Sequence, residues 1–508
     1  MEFDITEEEF VKLAQERPVI IQLMAKVNVD CSPLDLYASL DNDCTYLLES
    51  VEKEKRHARF SFVGSDPDAI FTVKNRNVTL DYKYRTNLTG FIESSLSKVC
   101  DIKNGAGGWI KDGFDTMDAV RSAFAASGVK YIGKGFDRQT FTGGAIGFCG
   151  YDMVYDCWLD IGERTGETPD AQFALTTQTV VFDHMTDETF IVMTPFVLEG
   201  DAPADVYRKA MDDVERFASL VESAKPAKFQ TNKPGRITCN MEQDVYEDAV
   251  RKAKQHIIDG DIFQVVLSRR YEITTEQTPL ELYTALRRMN PSPYMYLFEF
   301  NGTSIIGASP ETLLSVHNRK VITNPIAGTC PRGKSADEDE KYAQEMLDDK
   351  KERAEHVMLV DLGRNDVRMV SKGGTVKVDD FMSVLKYSHV QHIESTVSGM
   401  LRDECDQFDA TRAIFPAGTL SGAPKIRAME IIHDLEKSAR GIYGGGVGYY
   451  SWNGDADFAI VIRTIIKNGN KALVQAGAGI VADSDPEYEY NETERKMAAM
   501  IKAIGGAK

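Results

Sequence analysis

Apolar residues recur along this chain with two periods, and each period predicts a different kind of element. Ala343, Met346, Leu347, Ala354, Val357 and Met358 fall at helical spacing, which predicts one amphipathic helix running through KKERAEHVMLVDLGRND at 350 to 366. Tyr490, Met497, Ile501 and Ile504 form a second helical stripe behind Pro486, a residue suited to a first helical position. Helices are also expected over 115 to 127, 203 to 223, 241 to 259 and 279 to 290. Strands are predicted at Tyr46, Leu47 and Leu48, at 59 to 63, in a glycine-broken stretch within 141 to 154, and in 170 to 198. Further strands are expected at 261 to 274, in a hairpin turning at Asn301-Gly302, at 382 to 399 and at 455 to 467. The polar, two-proline segment 225 to 236 is the linker candidate, dividing an N-terminal region, 1–224, from a second region, 236–508.

Composition narrows the class. A chain of 508 residues that is 43% hydrophobic and 27% charged is that of a soluble globular protein with a large core. The net charge of −19 speaks against nucleic-acid binding but leaves room for a local cationic pocket. No apolar run approaches membrane-spanning length, and the acidic start MEFDITEEEF has no secretory core, so no membrane association and a cytoplasmic location are expected. The 8 cysteines are scattered without a CxxC pair, as for free thiols in a reducing compartment. Cys149 in GFCGY lacks the closing glycine and histidine partner of a nucleophile elbow and reads as core.

The candidate chemistry lies mostly in the second region. Glu352 and Glu355 are three apart and share a helix face, and Glu489 and Glu492 repeat the spacing. Two helices offering two carboxylates each suit a hard divalent cation such as Mg²⁺, or are simply solvated faces. On the 261 to 274 strand, Phe263, Val265 and Leu267 share one face, and Gln264, Val266 and Ser268 the other. Gln264 is then a satisfied core amide or a pocket residue. Glu311 stands at a strand exit, and NPIAGTCPRG (324 to 333) is a loop tight enough to need Gly328. His389 and His392, three apart in a predicted strand, face opposite ways and make a poor metal pair; one is a general acid or base, or both are structural. FPAGTLSGAPK runs from a glycine-rich loop into a helix and offers hydroxyl and backbone donors to an anion, without a Walker A pattern. GIYGGGVGYY has no helix after it, which disfavours a dinucleotide fold. Arg463 among apolar residues requires an anionic partner, such as a substrate carboxylate, and the small residues of QAGAGI allow close approach of a ligand.

These motifs together resemble the chorismate-utilising enzymes. The matching pieces are SPE (309 to 311), PIAGT (325 to 329), ERAEHVMLVDLGRND (352 to 366), SHVQH (388 to 392), GTLSGAPK (418 to 425), GIYGGGVGY (441 to 449), FAIVIRT (458 to 464), QAGAGI (475 to 480) and Glu492-Thr493. LLES (47 to 50), RFSFVG (59 to 64) and GGAIGFCGYD (143 to 152) look like the large subunits, component I, of anthranilate synthases. The resemblance implies an α+β fold with a large antiparallel, sandwich-like core and helices packed outside. It also implies a Mg²⁺-dependent lyase that makes anthranilate and pyruvate from chorismate and ammonia, the first committed step of tryptophan biosynthesis.

Two positions sort the subfamilies. Water-adding relatives carry a lysine base where this chain has Gln264, and a glutamine cannot deprotonate water. Aminodeoxychorismate synthases carry a nucleophilic lysine where this chain has Ala327. Both differences point to direct amination at C2. The alternatives are a synthase that stops at aminodeoxyisochorismate, and a tryptophan-binding regulator without catalysis; the four glutamates, His392 and Arg463 speak against the regulator.

By the same resemblance, Glu355 and Glu492 are the metal ligands and Glu352 and Glu489 support them. Arg463, Tyr443 and the backbone of Gly477, Ala478 and Gly479 hold the enolpyruvyl carboxylate, and Gly328 and Thr329 line the pocket. Glu311 is the acid for the departing hydroxyl, His392 assists pyruvate loss, Gln264 lies near C2, and Thr419 borders the site. Leu48, Glu49 and Ser50, with Pro293, Tyr294 and Met295, match a feedback site for L-tryptophan. With no convincing glutaminase triad in the chain, ammonia is expected from a glutamine amidotransferase subunit, component II, in an assembly of two of each.

Overall fold

Alternating side chains give each strand two faces, and here one face is buried between two large sheets. The computed structural model describes residues 2–40, 42–51, 59–103, 107–126, 128–136, 138–159, 161–162, 166–225, 235–387 and 390–505. Most of the expected linker, and His389, lie outside the described residues. One sheet has 13 strands and the other 12. Tyr46, Phe62, Tyr296 and Phe298 from the 12-stranded sheet pack against Ile146, Phe148, Val447 and Tyr449 from the 13-stranded one. Phe62 meets Tyr449 edge-on at 5.8 Å, a contact worth about 0.5–1.5 kcal/mol beyond its buried area.

Helices cover the outer faces. Pro203–Ser223, Pro279–Met289 and Pro486–Ala503 pack on the 12-stranded sheet. Thr116–Phe124 and Gln407–Ile414 pack on the other, and Lys425–Leu435 packs against Gln264–Thr274 of the 12-stranded sheet. This is the α+β arrangement that the resemblance implies. Both sheets draw strands from each side of the 225 to 236 segment: Thr45–Glu49 pairs with Tyr294–Phe300, and Gly144–Cys149 with Gly446–Ser451.

The periodic readings hold where one face is clearly apolar. The hairpin of Tyr294–Phe300 and Thr303–Ser309 turns at Asn301 and Gly302, both at positive φ (49° and 84°), as a two-residue turn demands. Cys149 is buried in its strand, and all eight cysteines are free. Among the described residues, no helix is long and apolar enough to cross a membrane.

Four expected elements differ. The helix drawn through 343 to 366 is two helices, Ala336–Asp348 and Lys350–Arg368. Asp349 restarts the second by accepting from the N–H groups of Lys351 (2.8 Å) and Glu352 (3.0 Å). The restart rotates the buried face to His356, Leu359, Val360 and Val367, and leaves Val357 41% exposed. The 382 to 399 strand is instead the end of one strand, Lys377–Lys386, and nearly all of its partner, Val390–Met400. The 324 to 333 loop contains a strand, Ile326–Pro331, whose register shifts between Ala327 and Cys330; Gly328 sits in that shift at φ +66°. The 455 to 467 strand is divided between the sheets, with Ala456–Ile460 in the 13-stranded one and Thr464–Asn468 in the 12-stranded one.

Candidate active site

Where the chain crosses from one sheet to the other, it leaves Arg463 at the crossing with φ +51°. A non-glycine residue in the left-handed region is strained, and such strain gathers at functional positions. The arginine expected inside a strand therefore stands at a strand break, half-buried. Burial depresses its pKa, and no described side chain hydrogen-bonds or ion-pairs with its guanidinium; Tyr387 and Glu311 act on it only through space.

The crossing also opens one side of the neighbouring strand. Lys471–Ile480 pairs with Gln264–Thr274 along its length, but its ladder to Thr464–Asn468 stops at Val474. Gly477, Ala478 and Gly479 thus lie on a stretch paired on one side only among the described strands. A Cβ on Gly479 would come within 2.6 Å of Gln264 Nε2, and one on Gly477 within 3.1 Å of the Tyr443 hydroxyl. The small residues let Gln264 and Tyr443 reach this edge. Alternation buries Gln264 while Phe263 beside it is 70% exposed. Gln264 Nε2 donates to Glu355 Oε1 at 3.1 Å, and its own Oε1 is buried with no partner among the described atoms.

Glu311 and His392 make up the acid–base equipment. Thr419 donates to Glu311 Oε1 at 2.8 Å. Burial raises the Glu311 pKa to about 7, against the opposing pull of Thr419, Arg463 and Lys496. His392 Nδ1 lies 2.8 Å from the Gly328 carbonyl oxygen, which can only accept, so Nδ1 carries the proton. Thr329 Oγ1 stands 3.1 Å from the same nitrogen. Burial lowers the His392 pKa to about 4, and Nε2 is buried without a partner. The ring is a neutral imidazole with a free basic nitrogen.

The four glutamates sit on Lys350–Arg368 and Pro486–Ala503 as expected. Burial, then the nearby Glu355 and Asp349, raise the Glu352 pKa. Burial also raises that of Glu489, with Glu492 adding to it. Lys351 lowers the pKa of both Glu352 and Glu489 through space, a weaker influence than burial on each. Burial pushes the Glu492 pKa up, but Lys496 and Arg495 outweigh it and hold the value low. Among the described residues, no three acidic, histidine or cysteine side chains stand close enough to hold a metal as they are. Two crowded carboxylate pairs nonetheless suit a divalent cation, which would relieve the repulsion within each pair.

Lys496 was not expected from the sequence. It reaches Gly477 O at 3.0 Å and Glu492 Oε1 at 3.4 Å, and it acts on both Glu311 and His392. Its position four residues after Glu492, on the same helix face, is the signal that marks it.

A second cavity, of about 340 Å³, is lined by Leu48, Glu49, Ser50, Pro293 and Tyr294, with Asp457. Tyr294 donates to Asp457 Oδ1 at 2.9 Å. Glu49 already accepts from Tyr283 and from Arg287 (2.9 and 3.1 Å). Met295 does not border this cavity. Alternation along its strand turns it to the opposite face, where it is fully buried beneath the outer helices.

A buried acid, a neutral histidine with a free nitrogen, an unpaired arginine and two carboxylate pairs converge where the sheets exchange a strand. Residues 97–502 match the chorismate binding enzyme family, and the chain belongs to it. It is 48% identical to an anthranilate synthase component 1 of Haloarcula marismortui, over 99% of this chain and 96% of that protein. It is 49% identical to anthranilate synthase component 1 of Haloferax volcanii, over 99% and 97%. Its fold matches the crystal structure of anthranilate synthase component I from Streptococcus pneumoniae with a TM-score of 0.69 at 34% identity, covering 94% of this chain and 99% of that one. The menaquinone-specific isochorismate synthase of Escherichia coli shares the fold, with a TM-score of 0.69 at 17% identity. Within the chorismate binding enzymes, the chain is a member of the anthranilate synthase component 1 group.

Proposed function

We propose that this chain catalyses the chorismate-aminating half of anthranilate synthesis: chorismate and ammonia give anthranilate, pyruvate and water. The carrying observation is the pairing of Glu311, held protonated near neutrality, with His392, held neutral with Nε2 free. One group gives a proton and the other takes one.

Arg463 and Tyr443, with the open edge at Gly477 to Gly479, receive the enolpyruvyl carboxylate. Glu311 protonates the C4 hydroxyl as it leaves, and ammonia bonds to C2. Gln264 near C2 offers an amide and no base, so nothing there activates water. His392 Nε2 then removes the C2 proton as the C3–oxygen bond breaks, which aromatises the ring and releases pyruvate. A free base nitrogen favours this complete reaction over one stopping at the amino intermediate.

Glu355 and Glu492 would hold Mg²⁺, with Glu352 and Glu489 in support. The cation would supply charge neutralisation and Lewis-acid polarisation at the ring carboxylate. Ammonia comes from a glutamine amidotransferase subunit, in an assembly of two of each chain, in the cytoplasm. The relatives' designation as component 1 supports a second component.

Tryptophan would occupy the second cavity. Pro310 and Thr312 border that cavity while Glu311 between them faces Thr419, so inhibitor and acid share one short segment. The region before residue 225 would then serve feedback and partner docking, and the region after 236 catalysis.

The test is to supply the purified chain with chorismate, Mg²⁺ and a high ammonium concentration near neutral pH, where Glu311 is still partly protonated and some free ammonia is present, and to follow anthranilate fluorescence. Anthranilate should form with ammonium, and from glutamine only once the partner is added. Formation of isochorismate, or of no product, would overturn the reading.

A further inference from the structure

The mechanism leaves unused a buried ion pair beneath the site. Arg440 is 3% exposed and Glu436 is 4% exposed. Arg440 donates from Nε and Nη2 to the Glu436 carboxylate, at 3.0 and 2.6 Å. Its remaining donors reach backbone. Nη1 bonds the Leu420 carbonyl at 2.7 Å, and Nη2 bonds the Val266 carbonyl at 2.7 Å. The guanidinium lies 4.5 Å from the Tyr151 ring centroid and 5.8 Å from that of Tyr443.

Glu436 extends the same set of bonds. It accepts from Ser268 N at 2.7 Å and Ser268 Oγ at 2.9 Å, and Gln475 Nε2 donates to Ser268 Oγ at 2.8 Å. Apart from Tyr151, each contact falls at or beside a residue of the site. Leu420 follows Thr419, Val266 and Ser268 continue the Gln264 strand, Tyr443 is the substrate-facing tyrosine, and Gln475 precedes Gly477.

A buried ion pair contributes little net stability compared with apolar packing of the same shape, so stability alone does not account for it. A planar five-donor group can, however, fix several carbonyls relative to one another, which a lysine cannot. We propose that Arg440, held by Glu436, is a positioning residue that fixes the Thr419 loop, the Gln264 strand and Tyr443 in register around the substrate. It touches no substrate itself. The kinetic part of this inference rests on the function proposed above.

The experiment is a double-mutant cycle on the full chain, Arg440→Lys against Thr419→Ala, with kcat and KM for chorismate measured at saturating ammonium. Lysine keeps the charge opposite Glu436 but cannot bond both carbonyls. Each single change should lower kcat at least tenfold, and the double should fall little below the worse single, because both act through the placement of Thr419. Amide hydrogen exchange on the same proteins reads the register without turnover. Arg440→Lys should speed exchange at 419–421 and 264–266 and leave the 203–223 helix unchanged. Should Arg440→Lys fail to fold at the assay temperature, Ser268→Ala replaces it, with a two- to fivefold loss of kcat that is likewise non-additive with Thr419→Ala.

Multiplicative losses, a kcat within twofold of the parent, or exchange raised uniformly over the chain would overturn the positioning role. If the parent makes no anthranilate, the functional reading fails, and the exchange pattern alone decides the role of Arg440.

Discussion

Gln264 donates from Nε2 to Glu355 Oε1 at 3.1 Å, which ties the residue proposed to lie near C2 to the helix carrying one carboxylate pair. A lysine at 264 would bring a cation to the same carboxylate and a base to the same carbon. Gln264→Lys should lower ammonia-dependent anthranilate formation at least tenfold. Steady-state rates with chorismate and ammonium check this, and an unchanged rate would place Gln264 away from the reacting carbon.

As the proposed acid, Glu311 must be protonated to act, and its pKa is raised to about 7 by burial, with Glu394 adding to the rise and Thr419, Arg463 and Lys496 opposing it. The competent form is therefore lost as pH rises through about 7. The value of kcat/KM for chorismate, corrected for the free ammonia present at each pH, should decline across that range. Glu311→Gln should remove the decline and cost about 10²–10⁴-fold in rate. A profile of unchanged shape in that variant would assign the acid elsewhere.

The two carboxylate pairs give a metal prediction. If Glu355 and Glu492 hold Mg²⁺ as proposed, Glu355→Gln or Glu492→Gln removes a charged ligand from a weakly held cation, and each should abolish turnover at limiting Mg²⁺. Titration of activity against Mg²⁺ for both variants is the check; parent-like curves would rule out the assignment.

Ser50 lines the 340 Å³ cavity with Leu48 and Pro293. Ser50→Phe should fill it, leaving ammonia-dependent activity within about twofold and raising the half-inhibitory tryptophan concentration at least tenfold. Coincident inhibition curves for the two proteins, or a parent that tryptophan never inhibits, would show that the cavity is not the feedback site.

The sequence was most legible where one residue type has one reason to be present. Asn301-Gly302 announced a two-residue turn, and both residues take positive φ. Arg463 among apolar neighbours announced a position apart from ordinary strand packing, and it stands at positive φ between the two sheets. Its place at a sheet crossing was not legible, because FAIV and TII are equally apolar and periodicity does not say which sheet each half joins. The break at Asp349 was missed because the apolar spacing ran on across it, while the signal lay in a polar cap. Met295 was assigned to the tryptophan slot by its neighbourhood, whereas strand alternation sends it to the far face while Tyr294 lines the cavity. Lys496 and Arg440 went unread for a common reason. A long cation's role depends on what lies at its tip, and only the folded chain shows that.

In the proposed reaction, one pocket both aminates chorismate and expels pyruvate. The most direct test is to incubate the chain with chorismate, Mg²⁺ and ¹⁵N-labelled ammonium, and to identify the products by mass spectrometry beside a His392→Asn variant. The parent should give anthranilate carrying one ¹⁵N with an equimolar amount of pyruvate, and the variant a labelled, non-aromatic amino product that retains the enolpyruvyl group. Unlabelled isochorismate, or a labelled product that keeps its enolpyruvyl group in the parent, would contradict the proposed reaction.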